Sequence, residues 1–92
     1  MNFNQKIVFA DTVFAQEIDG EMVLLDMNSE SYFGLDEVGT AIWKAIEEKK
    51  VIQDVYETLL EEFDVEEEVL KKDLIYFIKE LESSGLIEVK PL

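Results

Sequence analysis

Residues 12–27 of the chain read TVFAQEIDGEMVLLDM, two runs of β-branched and aromatic residues separated by Asp19-Gly20. Asp-Gly supplies the positive φ angles of a type I′ turn, so this stretch predicts a tight β-hairpin. Residues 28–30 (NSE) indicate a second turn, and residues 31–35 (SYFGL) indicate a short third strand. The pattern predicts a three-stranded antiparallel sheet and leaves residues 7–10 (IVFA) open as a further strand or an arm.

A helical period follows the predicted strands. Asp36 is an N-cap candidate for a first helix, which the polar residues 47–50 end. Its apolar stripe is predicted at Val38, Ala41, Ile42, Ala45 and Ile46. A second helix has the same spacing of apolar residues, at Ile52, Val55, Tyr56, Leu59 and Phe63.

The third predicted helix starts at a capping-box-like pair, Asp64 and Glu67, and stops before Gly85, a left-handed C′ candidate. Residues 86–89 (LIEV) then indicate a terminal strand or an extended tail. The apolar stripe of the third helix is predicted at Leu70, Leu74, Phe77, Ile78 and Leu81. Three short strands followed by three helices predict an α+β fold, similar to a winged helix-turn-helix.

The 92 residues suit one domain, residues 1–92, in which residues 1–11 are an arm or an extra strand.

The charge balance narrows the classes of partner. The chain has 22 acidic residues, 8 lysines and no arginine, so its formal net charge is −14. Such a surface repels phosphate, and we expect neither nucleic acid nor an anionic membrane as a partner. A winged-helix DNA reader presents basic side chains, whereas the third predicted helix opens VEEE at residues 65–68.

The absent residue types narrow the chemistry. The chain has no Cys and no His, which excludes thiol nucleophiles, histidine bases and zinc sites built on those residues. The acids do not follow the EF-hand loop pattern, so we expect no metal, no other cofactor and no catalytic residue. The N-terminus lacks the apolar segment of a secretory signal, and no run approaches the roughly 20 apolar residues of a membrane span. The sequence therefore predicts a cytoplasmic, non-catalytic protein.

Several segments resemble, in order and spacing, the signature of PqqD-like proteins. They are VLLD (23–26), YFGLDEVGTAIW (32–43), FDV (63–65), then Asp73-Leu74, Phe77, Leu81 and GLI (85–87). The resemblance covers residues 12–89 and implies a stand-alone, winged-helix-like domain. It further implies binding of the leader segment of a ribosomally synthesised precursor peptide and delivery of that leader to a modifying enzyme. The enzymes it implies are a radical S-adenosylmethionine enzyme or the protease and cyclase of a lasso-peptide pathway.

The resemblance places the leader beside the third predicted strand. An edge strand exposes unpaired N–H and C=O groups, which an extended peptide satisfies by adding a strand. Alternation predicts Ser31, Phe33 and Leu35 on one face of this strand, and Tyr32 and Gly34 on the other. Gly34 either admits a second backbone at close range or forms a bulge before the helix.

The third helix is the second wall that the resemblance implies for the groove. Val69, Asp73, Tyr76 and Glu80 form a stripe beside the core stripe of this helix. Val69 and Tyr76 predict an apolar wall, and the two acids predict partners for a basic leader residue or a backbone N–H. Phe77 is predicted as a core residue that also forms the groove floor. The alternatives are that Tyr76 packs at the core rim and that Asp73 is a solvated acid.

Gly39 and Trp43 lie one turn apart on the first predicted helix. Glycine inside a helix costs roughly 1 kcal/mol relative to alanine, so Gly39 predicts the close approach of another group. Trp43 is predicted as a core residue rather than a ligand contact.

Leader-peptide recognition is the leading functional interpretation. A winged-helix regulator that binds DNA or another protein is the alternative, and the acidic charge counts against its DNA-binding form. A freestanding carboxylate enzyme is a third reading, but the sequence shows no separated pair of acids in a cleft-forming context.

Overall fold

The computed structural model describes residues 2–92, which form two small antiparallel sheets and three helices. One sheet has three strands in the order β2-β3-β4, and the other pairs β1 with β5. In chain order the elements are β1 (Gln5–Phe9), β2 (Val13–Ile18), β3 (Glu21–Asp26), β4 (Ser31–Gly34), α1 (Glu37–Lys49), α2 (Ile52–Glu62), α3 (Glu67–Ser83) and β5 (Ile87–Pro91).

The β2–β3 hairpin has the predicted turn. Asp19 and Gly20 have φ angles of 52° and 84°, the two positive values that a type I′ turn requires. The third predicted strand is present as β4, so the three-stranded antiparallel sheet is confirmed. The central strand alternates between buried and less buried side chains, and its buried residues are Met22, Leu24 and Asp26.

The start of α1 is confirmed at the predicted cap. Asp36 has extended backbone, and its Oδ1 atom accepts a hydrogen bond from the Gly39 N–H at 2.8 Å. This bond satisfies one of the backbone donors that the first turn of a helix leaves without a partner.

The predicted capping box at Asp64 and Glu67 is wrong. The N-cap of α3 is Glu66, and no side chain makes a capping hydrogen bond there. The chain is extended at Phe63 and again at Glu66, and this course brings Phe63 and Val65 to the lining of one cavity beside α1.

The end of α3 is confirmed at Gly85, which has a φ angle of 76°. The Gly85 N–H donates to the Glu82 carbonyl at 3.1 Å, and the Leu86 N–H donates to the Leu81 carbonyl at 3.0 Å. These two bonds form a Schellman motif, which satisfies the last carbonyls of the helix and turns the chain into β5.

The two ends of the chain pair with each other. Strand β1 lies antiparallel to β5, with Phe9 opposite Ile87, so residues 7–10 contribute a strand and the tail is a strand as well. The Ile7 N–H donates to the Lys50 carbonyl at 2.9 Å, which joins this second sheet to the α1–α2 connection. The segment 1–11 thus docks on its own chain, although Met1 lies outside the described residues.

The core lies between the three-stranded sheet, the helices and the β1–β5 pair. Trp43 is buried, as predicted, and packs 4.8 Å from the Phe9 ring between centroids. The α+β class is confirmed, and the likeness to a winged helix-turn-helix stays a prediction. The fully buried side chains at the centre of the core are Ile7, Leu24, Ile46, Ile52, Val55, Leu59, Leu74 and Ile78.

Candidate peptide-binding site

Strand β4 has an open edge. It pairs on one side with β3, and among residues 2–92 no strand lies on its other side. The Leu35 N–H donates to the Met22 carbonyl at 2.8 Å. Because hydrogen-bonded and non-bonded pairs alternate in an antiparallel ladder, the backbone groups of Phe33 also face β3, whereas those of Tyr32 and Gly34 face the open edge.

The side chains of β4 alternate as predicted. Ser31, Phe33 and Leu35 are half-buried against the body of the protein, and Tyr32 and Gly34 are exposed. The Tyr32 side chain is 73% exposed. A Cβ atom added to Gly34 would meet nothing within 4 Å, so the space beside this residue is open.

A buried carboxylate holds the turn that leads into β4. Asp26 Oδ1 accepts hydrogen bonds from the Thr12 hydroxyl at 2.9 Å and the Asn28 N–H at 3.0 Å, and Oδ2 accepts one from the Ser29 hydroxyl at 3.0 Å. The Thr12 bond is the largest cause that lowers the pKa of Asp26 below its usual value, and burial opposes it. The ionised carboxylate therefore orders the turn and sets where the edge strand begins.

A cavity of about 410 Å³, here called the outer cavity, opens next to the end of β4. The residue before α1 and the first turns of that helix form one side, and α3 forms the other. Its lining residues are Gly34, Leu35, Asp36, Val38, Gly39, Ile42, Asp73, Tyr76 and Phe77.

A smaller and more apolar cavity of about 130 Å³, here called the inner cavity, continues the outer one toward the start of α3. The two cavities share Val38, Ile42 and Asp73, so together they form one groove. The groove therefore runs from the open strand edge along α1 and α3. The inner cavity is lined by Val38, Ile42, Leu59, Phe63, Val65, Val69, Leu70 and Asp73.

The structure brings most of the predicted site residues together. Ser31, Tyr32 and Phe33 lie on β4, and Val69 lines the inner cavity. Glu80 on α3 lines neither cavity. The predicted residues that line the outer cavity are Gly34, Leu35, Asp73, Tyr76 and Phe77.

Eight groove residues lie outside the predicted site, and the exposed apolar ones among them are Val38, Phe63 and Val65. Val38 and Phe63 were predicted on the apolar stripes of the first two helices, and in the structure they are 57% and 38% exposed. Phe63 lies beyond the end of α2, so it leaves the helical period on which the prediction relied. Val65 was part of the family resemblance but not of the predicted site. An apolar pair, Phe63 and Val65, within the acidic run 61–68 is the signal that points to this wall.

The face of the three-stranded sheet that points away from the helices is also apolar. Phe14, Leu25 and Tyr32 lie directly opposite one another across β2, β3 and β4. Phe14 is 60% exposed, and Ile18 at the end of β2 is exposed as well. A solvated sheet face normally carries polar side chains, so this apolar row is a second candidate interaction surface, besides the groove.

Neither a metal-binding group of side chains nor a membrane-spanning helix is found among the described residues. Within residues 2–92, no group of three or more acidic side chains is placed to hold a metal ion. The helices of the same part of the chain are too short or too polar to cross a membrane.

An open strand edge beside an apolar groove is an arrangement by which domains bind extended peptides. The geometry therefore defines a candidate peptide-binding domain. The family model described as coenzyme PQQ synthesis protein D (PqqD) matches residues 21–87. The chain belongs to the PqqD family, as the resemblance predicted.

Two solved structures are similar to this chain, and no curated protein matches it significantly. The first is described as TbiB1 in complex with the TbiA(beta) leader peptide, with a TM-score of 0.82 and 35% identity over 87% of this chain and 93% of that one. The second is described as lasso peptide synthetase B1 complexed with the leader peptide, with a TM-score of 0.80 and 23% identity over 90% of this chain and 98% of that one. The first likeness extends to sequence, and the second is a likeness of fold.

Proposed function

We propose that the protein binds the leader segment of a ribosomally synthesised precursor peptide and presents it to a separate modifying enzyme. The observation that carries this proposal is the open edge of β4 directly beside the outer cavity. It is supported by membership of the PqqD family and by the similarity to TbiB1, a protein solved in complex with a leader peptide.

The leader adds a strand to the three-stranded sheet. Its backbone pairs with the outward N–H and C=O groups of Tyr32 and Gly34, which have no partner within residues 2–92. The sheet has a second edge at β2, but the groove opens beside β4. Backbone pairing tolerates many sequences, so the side chains of the groove must provide selectivity.

The groove residues act as walls and floor for the leader side chains. Phe77 forms the floor of the outer cavity, and Tyr76 forms an exposed aromatic wall. Val69, with Val38 and Val65, lines the inner cavity, which takes apolar side chains of the leader. Ser31, Phe33 and Leu35 support the edge from the core side, and Asp73 and Glu80 supply negative charge along α3.

The modifying enzyme docks on the apolar outward face of the three-stranded sheet. Glu21 is the one charged residue among the outward-facing residues of β2, β3 and β4. This face is therefore much less charged than expected for a chain whose net charge is −14. Two copies of so acidic a chain repel each other, which favours a different protein as the occupant. Tyr32 belongs both to this face and to the open edge, so an enzyme docked here lies next to the bound leader.

The partner is either a radical S-adenosylmethionine enzyme or a lasso-peptide protease or cyclase. The protein itself performs no bond chemistry and needs no cofactor. Its contribution is to raise the effective concentration of the precursor at the enzyme and to orient it there. We place this function in the cytoplasm. The alternative winged-helix regulator has no comparable supporting observation among the described residues.

Titration of the isotope-labelled protein with its leader, followed by amide chemical shifts, tests the proposal. The probe is the synthetic leader of a short precursor peptide to be identified among the neighbouring genes, and a scrambled leader is the control. We expect saturable shifts in residues 31–35 and 66–84. The Tyr32 and Gly34 amides shift more than the Phe33 amide, because the Phe33 N–H is already bonded to β3. Unchanged shifts in both segments at high leader concentration would refute leader binding at this site.

A further inference from the structure

Asp73 lies where the outer and inner cavities join, and it lines both of them. Among the described residues that line the inner cavity, it is the charged one. On the same helix, Val69 precedes it by one turn, and Tyr76 and Phe77 follow it by one turn. Its neighbours in the lining of the groove are mainly apolar, and Asp73 itself is exposed to solvent before a ligand binds.

The chain provides no neutralising partner for this carboxylate among residues 2–92. None of the ion pairs and side-chain hydrogen bonds in this part of the protein includes Asp73. The other carboxylate of the outer cavity, Asp36, already accepts the Gly39 N–H. Asp73 is thus the groove carboxylate that is available to a ligand.

A leader that fills the groove removes water from Asp73. A carboxylate that loses water in apolar surroundings is costly unless it gains a charge-assisted hydrogen bond. Lys and Arg supply both a positive charge and N–H donors, whereas a backbone N–H supplies a donor alone. The net charge of −14 adds a longer-range attraction for a cation.

We propose that Asp73 is a specificity-determining residue that selects a Lys or Arg side chain of the leader at the junction of the two cavities. This inference rests on the proposed function. It extends that function from the capture of an extended segment to the choice of its sequence.

Fluorescence anisotropy with the same synthetic leader, labelled with fluorescein, tests the inference. Asp73→Lys reverses the charge inside the groove. Glu82→Lys makes the same change on the same helix, at an exposed residue that lines neither cavity and is not part of the predicted site, so it is a matched control. We expect Asp73→Lys to weaken leader binding about tenfold or more. Glu82→Lys shares only the screened long-range change and should weaken it by less than about threefold.

A charge swap completes the test. Replacing each Lys or Arg of the leader by Glu, one at a time, should identify one position whose variant binds Asp73→Lys better than it binds the wild-type protein. Asp73→Asn removes the charge while keeping the shape, so it provides the same comparison if Asp73→Lys does not fold, as judged by circular dichroism.

The outcomes separate the inference from the proposed function. Equal losses for Asp73→Lys and Glu82→Lys would overturn the inference while leader binding stands. The same holds for a leader whose affinity does not depend on any Lys or Arg. A wild-type protein that does not bind the leader would overturn the proposed function itself.

Discussion

Phe77 on α3 packs directly over Gly39 on α1: a Cβ atom added to Gly39 would lie 3.2 Å from the Phe77 Cε2 atom. Both residues line the outer cavity, so this contact sets the distance between its two helical walls. The close approach predicted from a glycine inside the helix is confirmed, and Phe77 is the group that approaches.

Gly39→Ala tests this contact. Alanine favours the helix by roughly 1 kcal/mol, but its Cβ pushes the half-buried Phe77 ring by a few tenths of an ångström toward the groove. We expect the free energy of unfolding to change by less than about 1 kcal/mol because the two effects oppose each other. Leader affinity should fall by about threefold to tenfold because the groove floor moves, as measured by anisotropy.

The double variant Gly39→Ala/Phe77→Leu is the control for that prediction. Leucine lacks the Cε2 atom, so the double variant should be more stable than the sum of the two single changes implies. Strictly additive effects on the free energy of unfolding would mean that the two residues do not interact.

Gly34→Pro tests the open edge of β4. The Gly34 N–H points away from β3 and Gly34 lacks a positive φ angle, so proline is tolerated in the fold while one donor to the leader is lost. One backbone hydrogen bond contributes about 1 kcal/mol, so we expect leader affinity to fall about fivefold or more. The melting temperature should change little.

Gly34→Ala is the matched control for the proline variant. It keeps the N–H and places a methyl group where nothing lies within 4 Å. Wild-type affinity in Gly34→Ala together with weak binding in Gly34→Pro identifies the N–H as the determinant. Undiminished binding by the folded proline variant would contradict strand addition at this edge.

Phe14→Glu tests the outward sheet face. Phe14 lies across the sheet from Tyr32 with Leu25 between them, away from the open edge. We expect unchanged leader affinity, because no groove residue is altered, and at least an approximately tenfold loss of affinity for the modifying enzyme, because a charge is placed in an apolar interface. Leu92→Glu adds the same charge at an exposed site outside the three-stranded sheet and should leave both affinities unchanged. Equal enzyme binding by Phe14→Glu and Leu92→Glu would refute docking of the enzyme on the outward sheet face.

Asp26→Asn tests the carboxylate that orders the turn before β4. Because the pKa of Asp26 is lowered in the folded protein from its usual value of 3.8, the unfolded state binds the proton more readily. The carboxylate therefore stabilises the fold fully above about pH 4, and this contribution is lost as the pH falls below 3.8 through the lowered pKa.

Thermal unfolding of wild type and Asp26→Asn between about pH 2.5 and 7 measures this contribution. The wild-type protein should have the higher melting temperature above pH 4, and the difference should shrink toward the acid end of the range. A difference that is constant over the whole range would show that ionisation of Asp26 does not stabilise the turn.

Local patterns predicted much of the fold correctly because they depend on neighbours in sequence. The Asp19-Gly20 turn, the Asp36 cap and the Gly85 helix stop each rest on a backbone conformation that a few adjacent residues determine. The β1–β5 pair was left open because it joins the two ends of the chain, and no local pattern specifies such a partner. The capping signal at Asp64 placed the start of α3 too early, because the chain is still extended at Glu66 and the helix begins at Glu67.

The site shows the same division. Alternation along β4 and the helical stripe of α3 placed Tyr32, Gly34, Tyr76 and Phe77 on the correct faces. Val38 lies on the predicted apolar stripe of α1 but is exposed. A helical stripe indicates which side of a helix is apolar, and it does not indicate how much of that side the neighbouring helix covers.

The amino-acid sequence by itself determined the order of β2, β3, β4 and the three helices, the Asp19-Gly20 turn, the Asp36 cap, the Gly85 helix stop, the acidic charge and the exclusion of Cys and His chemistry. These properties depend on residue type and on interactions within a few positions. The tertiary structure decided that the edge of β4 stays open, that Phe63 and Val65 line the groove, and that Asp73 lies where the two cavities join. Those outcomes depend on which distant segments compete for the same apolar surface, and short-range preferences carry no information about that competition.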